Sequence, residues 1–429
     1  MRALADALAE LGAHPRAVPW RLLLHSRWAA AAPPREYVVF APPLGRSVWP
    51  VLARAHNAAL VFNPAAVEIV SPLPEAELQP VLGRVRSVQH VPMVIAPARV
   101  EPNRHMDVPS VDRPVLEPPG VGVAIGLDIG GTSMKVVALE GEAVVGSAGG
   151  RTWPGEERGI ESLITRARAL VVEAAAGRPI GSLGIGLAAP LGVGGQVLEL
   201  STILRERVGD PEAFNGFADR IATGLVSGPV ALFNDLSNLG RHLSALGSRR
   251  MVRVQIGTSF GGCWIDADGE VVATEMGRLV VDMSPDALPH TYLPLTGAMR
   301  TYLSNVGIAH MLAESGVVVA PAESGRVLRK ALEEGEPAGL ATIDRMSEVV
   351  VGVIRELAAL LVGVQSVECG GSMLQGPAGR LLEQRVNETS PLPFVVAARP
   401  GEDGAIAAAL APRVNAPLRG MRRVGAHRE

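Results

Sequence analysis

The chain has 429 residues, 48% of them apolar, and a formal net charge of -3. This length exceeds one ordinary domain and the apolar content suffices for two or three cores, while the near-neutral balance excludes a chain-wide electrostatic footprint for nucleic acid. Two cysteines, Cys263 and Cys369, lie far apart with no second cysteine or histidine at metal-ligand spacing, so no disulfide framework or structural zinc site is implied and both read as small buried residues.

The opening stretch "MRALADALAELG" places Asp6 and Glu10 where a secretory signal has its unbroken apolar core, so retention in the cytoplasm is the expectation. Residues 1–93 alternate helix-like and strand-like pieces. "ADALAEL" has helical spacing, "EYVVFAPPLG" and "AALVF" read as strand-like, and "LPEAELQPVLGRVRSV" reads as a helix that accommodates Pro80. The expectation is a small α/β domain of open function; it contains no lysine and no helix-turn-helix pair, which weighs against DNA binding. Residues 94–120 are proline-rich and aperiodic, the signature of a linker or surface strap.

Beyond the linker, "GVAIGLDIGGTSMKVVALEGEAVVGSAGG" reads as two apolar strands flanking a glycine turn, then a third strand. Ile160, Leu163, Ile164, Ala167 and Leu170 share one helical face. "IGSLGIGLAAPLG" is strand and loop, and "PVALFNDLSNLGRHLSAL" is a strand entering a helix at Asn234 and Asp235. The order then repeats: strands at "RVQIGTSFGGCWIDADGEVV", helices around 301–314 and 343–364, a strand at "QSVECGGS", and helices beyond. Two such rounds suggest a duplicated architecture. Arg355 and Glu356 break the greasiest run, Val349 to Val364, which falls short of the roughly 20 apolar residues of a membrane span. The basic tail "RGMRRVGAHRE", within 413–429, reads as a solvated terminus.

The glycine turn admits two readings. Adjacent glycines let backbone amides approach phosphate oxygens, with Thr132 and Ser133 adding hydroxyl donors; a plain tight turn is the alternative. A dinucleotide fingerprint or a Walker loop leads straight into a helix, whereas β-branched "KVVALEGEAVVG" follows here. Strand, glycine turn and strand, with Asp128 closing the first strand, resembles the phosphate-binding hairpin of actin-like and hexokinase-like ATPases. Within that superfamily the chain resembles the ROK family (repressor, open reading frame, kinase) of sugar kinases and regulators. The resemblance spans about 121–412 through ordered motifs: "DIGGT" from Asp128, "GIGLAAPLGVGGQVLEL" from Gly184, "FNDLSNLG", "IGTSFGG" from Ile256, "TEMGRLVVD", "CGGS" from Cys369 and "DGAIAAAL" from Asp403.

The resemblance implies an α/β fold of duplicated RNase H-like lobes with a central cleft, residues 121–248 and 249–412, preceded by the N-terminal domain. It implies ATP-dependent phosphorylation of a hydroxyl on a small sugar-like or cyclitol-like substrate, with Asp235 as general base. ATP would be held by Gly130, Gly131, Thr132 and Ser133, by Gly257, Thr258 and Gly261, and by Gly370 and Gly371. Asp128 would hold Mg2+ through water. Asn234, Glu275, Arg278, Arg300 and Thr202 would contact the substrate. A homodimer is the implied assembly, with a small-molecule substrate as partner and neither nucleic acid nor membrane.

Several positions depart from the family pattern. Arg278 stands where most members have a histidine that helps hold zinc. "HTYLPLTGAMRTYLS" keeps Gly297, Tyr302 and Ser304 in register but lacks the family's cysteines, so no zinc is expected. Arg300 replaces a substrate-contacting glutamate and Thr202 an asparagine. Guanidinium groups favour anions, so a phosphorylated or carboxylated polyol becomes the expected acceptor unless the arginines pair with acids such as Asp282 or Asp286. Phe260 in the second phosphate loop either crowds the nucleotide or packs beneath the loop. The alternative reading is a ligand-binding sensor or pseudokinase without phosphotransfer.

Overall fold

The computed structural model describes residues 2–25, 34–62, 64, 66–86, 93–97, 121–131, 133–141, 143–191, 195–200, 202–290, 293–397 and 403–410. The chain divides into two compact units. One comprises Met1–Asp112, Val254–Gly262 and Thr274–Ala398; the other comprises Arg113–Arg253, Cys263–Ala273 and Arg399–Glu429. No described helix is long and apolar enough to cross a membrane.

In the first unit, α1 (Leu4–Gly12) buries Leu4, Ala7 and Leu8, as its spacing predicts. It is followed by β1 (Val18–His25), β2 (Arg35–Ala41), α2 (Gly45–Phe62), β3 (Ala66–Ser71), α3 (Glu75–Arg86) and β4 (Met93–Pro97). The strands form one sheet in the order β2-β1-β3-β4. β1 runs antiparallel to β2 and β3, and β3 runs parallel to β4. Two expectations are corrected here. The supposed linker starts too early, because Val94 to Pro97 pair with Glu68 to Ser71; residues 98–120 lie outside the described residues. "AALVF" belongs to α2, not to a strand. Ala53, Ala55, His56, Asn57, Ala58, Ala59 and Val61 are all at most 1% exposed, and a short apolar run such as "AALVF" within a buried helix reads equally well as a strand.

The first residues of the glycine-turn region form β5 (Val123–Ile129), β6 (Ser133–Glu140) and β7 (Ala143–Arg151) in the second unit. α4 (Ile160–Ala175), β8 (Ile180–Leu187), α5 (Thr202–Val208), α6 (Phe217–Ala222), β9 (Val230–Asn234) and α7 (Asp235–Ala245) follow. The sheet order is β7-β6-β5-β8-β9, with β5 antiparallel to β6 and parallel to β8, and β8 parallel to β9. Leu163, Ile164, Ala167 and Leu170 of α4 join Ile125, Leu127 and Ile185 in one apolar core.

The rest of the chain comprises β10 (Met251–Ile256), β11 (Phe260–Ile265), β12 (Val271–Thr274), α8 (Asn305–Glu314), α9 (Ser324–Glu333), α10 (Pro337–Leu360), β13 (Ser366–Gly370), α11 (Pro377–Asn387), β14 (Phe394–Val396) and α12 (Asp403–Leu410). This sheet runs β12-β11-β10-β13-β14, so both five-stranded sheets place the first of their strands at the centre and the third at an edge. The helix expected at 343–364 begins earlier, at Pro337, because proline suits a first helical turn. The helix expected from 301 is instead a 3-10 turn at Met299–Thr301, with α8 opening at Asn305 under a Ser304 cap. The tail from 411 onward lies outside the described residues.

Candidate active site

The glycine turn closes tightly: Gly130 N donates to Ser133 O at 2.9 Å, and Thr152 Oγ1 donates to Gly130 O at 2.8 Å. Neither Gly130 nor Gly131 adopts a positive φ, so these glycines matter through lack of bulk. A methyl at Gly131 would lie 3.3 Å from Ile203 Cδ1, and one at Gly130 would lie 3.1 Å from Ser133 O. Thr132 lies outside the described residues. Asp128, at the end of β5, sits opposite Lys135 in the β5-β6 register. Burial pushes its carboxyl up to about 6, against the pull of Lys135.

Asn234 ends β9 and caps α7. Its Oδ1 accepts from Leu236 N and Ser237 N, both at 3.2 Å, while Nδ2 donates to Ala189 O at 3.2 Å. An amide at that position satisfies orphan N–H groups of the first turn. Asn234, expected to contact substrate, caps the start of α7 with its side chain. Asp235, the first helical residue, accepts from Leu236 N at 2.9 Å. Its location favours the ionised carboxylate, because the helix dipole is positive there.

Gly186 on β8 brings Asp128 and the start of α7 together. A methyl at Gly186 would sit 2.9 Å from Asn238 Nδ2, 3.5 Å from Asp235 Cα and 3.6 Å from Asp128 Oδ1. In sequence Gly186 is one glycine among many within "GIGLAAP", with no local signal to mark it. Asn238 is fully buried, and both polar atoms of its side chain lack a hydrogen-bond partner.

α12 supplies the third wall. It crosses β5 where a methyl at Gly126 would meet Ala405 O at 1.8 Å, and a methyl at Gly404 would lie 3.0 Å from Asp128 Oδ2. Ala124, Val137, Leu139, Ala405 and Ala409 form the small core beneath it. Close backbone approach at both glycines thus places the N-terminal turn of α12 against the Asp128 carboxylate.

In the other unit, the second glycine loop turns between β10 and β11. Gly257 N donates to Ser259 O, and Asn305 N donates to Gly257 O, each at 2.9 Å. Thr258 is exposed. Gly371, with φ of +134°, lies so near Ile256 that a methyl would meet its carbonyl oxygen at 1.8 Å; Gly370 and Gly371 therefore abut the approach to Gly257. Phe260 is 5% exposed, which selects packing beneath the loop over crowding of its open side. Gly261 follows in β11.

Glu275 precedes a 3-10 turn, Met276–Arg278, and its Oε2 stands 4.0 Å from Arg278 Nε. Arg278 is buried, with Glu275 as an acidic neighbour. Arg300 lies in the adjoining turn, its Cβ 3.6 Å from where a methyl at Gly277 would stand. Glu275, Arg278 and Arg300 are thus gathered in this unit. Thr202 opens α5 in the other unit, and its side chain lies outside the described residues. Among the described residues no group of three or more His, Cys, Asp and Glu could hold a metal ion.

The strand order and the ordered loops define a fold of the ROK type, that of sugar kinases and sugar-responsive regulators. Solved structures with this fold include a ROK family glucokinase from Streptomyces griseus in complex with glucose and AMPPNP (19% identity, 67% of this chain and 98% of that chain, TM-score 0.53). A ROK hexokinase from Thermus thermophilus is similar over 67% of this chain and 97% of its own (19% identity, TM-score 0.52). A ROK family transcriptional regulator, a homolog of the E. coli MLC protein, is similar over 68% and 77% respectively (18% identity, TM-score 0.50). No family model and no curated protein matches the chain.

Proposed function

We propose that the chain is an ATP-dependent kinase of ROK type, built on duplicated RNase H-like lobes, that phosphorylates a hydroxyl of a small polyol. The observation that carries this reading is that the Asp235 helix start, across Gly186, and the α12 turn, at Gly404, both approach the Asp128 carboxylate. Phosphoryl transfer requires positioning and charge neutralisation more than covalent chemistry, and two carboxylates of unlike environment suit two roles.

In this reading Asp235 accepts the proton of the attacking hydroxyl as the new oxygen–phosphorus bond forms and ADP departs. The amides of Gly130 and Gly131 and the hydroxyls of Thr132 and Ser133 take phosphate oxygens. Gly257, Thr258 and Gly261 form the second phosphate loop, and Gly370 and Gly371 border the adenosine. Asp128 fits a magnesium ion: a carboxylate destabilised by burial is relieved by a cation, and Lys135 offsets only part of that cost. Magnesium there would neutralise charge on the phosphates. Glu275, Arg278, Arg300 and Thr202 contact the acceptor, and the two arginines favour one bearing a phosphate or carboxylate.

The reading is tested by ADP release with magnesium-ATP over neutral sugars, sugar phosphates, sugar acids and cyclitols. Turnover confined to anionic acceptors supports both the kinase and the arginine assignment; turnover on neutral sugars discards the latter. The second reading, a sensor that binds without transfer, draws on the regulator that shares the fold and on Arg278 already facing Glu275. Calorimetric binding of a panel member without ADP release would favour it.

A further inference from the structure

We propose that α2 positions the loop carrying Glu275 and Arg278, with Asn57 and His56 as its positioning residues; the functional part rests on the acceptor-contact reading above. Asn57 is fully buried. Its Oδ1 accepts from Val280 N at 2.8 Å while its Nδ2 donates to Val280 O at 2.9 Å. One side chain thereby satisfies both backbone groups of a single residue, as a neighbouring strand would. The second Nδ2 hydrogen goes to Glu356 Oε1 at 3.0 Å, and Glu356 pairs with Arg54 Nε at 2.8 Å.

One residue earlier on α2, the His56 Nε2 stands 3.0 Å from Arg278 O. A carbonyl only accepts, so the ring nitrogen donates, which sets the tautomer. Burial holds this imidazole neutral, its pKa depressed to about 4. The extreme N-terminus continues the same grip: Leu4 N donates to Val281 O at 3.2 Å, and Met283 N donates to Arg2 O at 2.7 Å.

Arg278 O, Val280 N, Val280 O, Val281 O and Met283 N are therefore all engaged by residues from the first 57 positions. Burying a histidine, an asparagine and an arginine–glutamate pair is a costly way to cover a surface that apolar side chains would cover better. Such groups specify one backbone arrangement, here that of the segment directly following Glu275. The N-terminal region thus acts as a fixed brace for the acceptor loop.

The experiment compares Asn57→Ala, His56→Leu and His56→Gln in the full chain by amide hydrogen exchange and by steady-state kinetics with the best acceptor. Asn57→Ala is expected to speed exchange at Val280 about tenfold or more while the amides of β1 and α10 keep their protection. The acceptor KM is expected to rise about 10- to 100-fold in Asn57→Ala and His56→Leu, with the ATP KM within about threefold. His56→Gln, which retains an N–H donor, is expected to restore the acceptor KM to within about threefold of wild type. Unchanged exchange at Val280 and across 276–283, or acceptor and ATP KM rising together, overturns the proposal. If Asn57→Ala fails to fold, exchange at 276–283 and the KM values of the His56 pair decide. If the wild type turns over no acceptor, the kinase reading falls by itself, and exchange still decides whether α2 fixes the loop.

Discussion

Asp128 and Asp235 flank one glycine: the Asp128 Oδ1 and the Asp235 Cα lie 3.6 Å and 3.5 Å from the position a Gly186 methyl would occupy. Residues 107 positions apart in sequence are thus neighbours because β5 and β8 run side by side and β8 pairs with the strand that launches α7.

If Asp235 takes the acceptor proton, Asp235→Asn lowers kcat by about 10²- to 10⁴-fold with acceptor and ATP affinities little changed. The readout is ADP release beside calorimetric binding of ATP. Retention of kcat would remove Asp235 from the chemistry.

Asp128→Asn is expected to abolish turnover yet raise the stability of the ligand-free chain at pH 7, by about 1–3 kcal/mol. The sign follows from a folded pKa of about 6 against the ordinary 3.8: the protonated form stabilises the fold below 3.8, and this contribution is lost as pH rises through 6. Denaturant unfolding at pH 7 checks it, and a destabilised variant would contradict the burial account.

His56 titrates in the opposite sense over the same window. Its folded pKa is about 4 against 6.5, so its stabilising effect is complete above 6.5 and is lost as pH falls through 4, with a span of about 3 kcal/mol. The two slopes oppose one another between pH 6.5 and 4. In unfolding followed against pH, Asp128→Asn should therefore lose stability on acidification more steeply than wild type, and His56→Gln should lose less or gain. Parallel profiles for all three would refute both assignments.

Two glycine substitutions should separate stability from activity. At Gly126 the obstacle is the Ala405 carbonyl at 1.8 Å, which cannot rotate away, so Gly126→Ala should cost about 2–4 kcal/mol by forcing α12 off β5. At Gly186 the nearest atom is the Asn238 amide at 2.9 Å, a side chain that can yield. Gly186→Ala should cost about 1 kcal/mol but reduce kcat more than about tenfold through displacement of the α7 start. Thermal melts and kinetics on the same preparations compare them.

Local chemistry made much of this protein legible in its sequence. The glycine turn between β-branched runs marked a strand–turn–strand hairpin, the Ile160 to Leu170 spacing marked α4, and Asn234 followed by Asp235 marked a strand entering a helix, because period and turn are properties of neighbouring residues. Their order along the chain carried the resemblance to ROK proteins. Tertiary structure alone decided the rest. α2 escaped notice because a short apolar run such as "AALVF" reads equally well as strand or buried helix, and Gly186, Gly404 and Gly126 gained meaning only from helices that approach them from far along the chain. That the Asn234 amide also ties the first turn of α7 to Ala189 became visible only in the fold. The grip of His56 and Asn57 on Arg278 and Val280 joins positions more than 200 residues apart, and hydrogen bonds of that range follow from how elements pack and leave no periodic trace in the sequence.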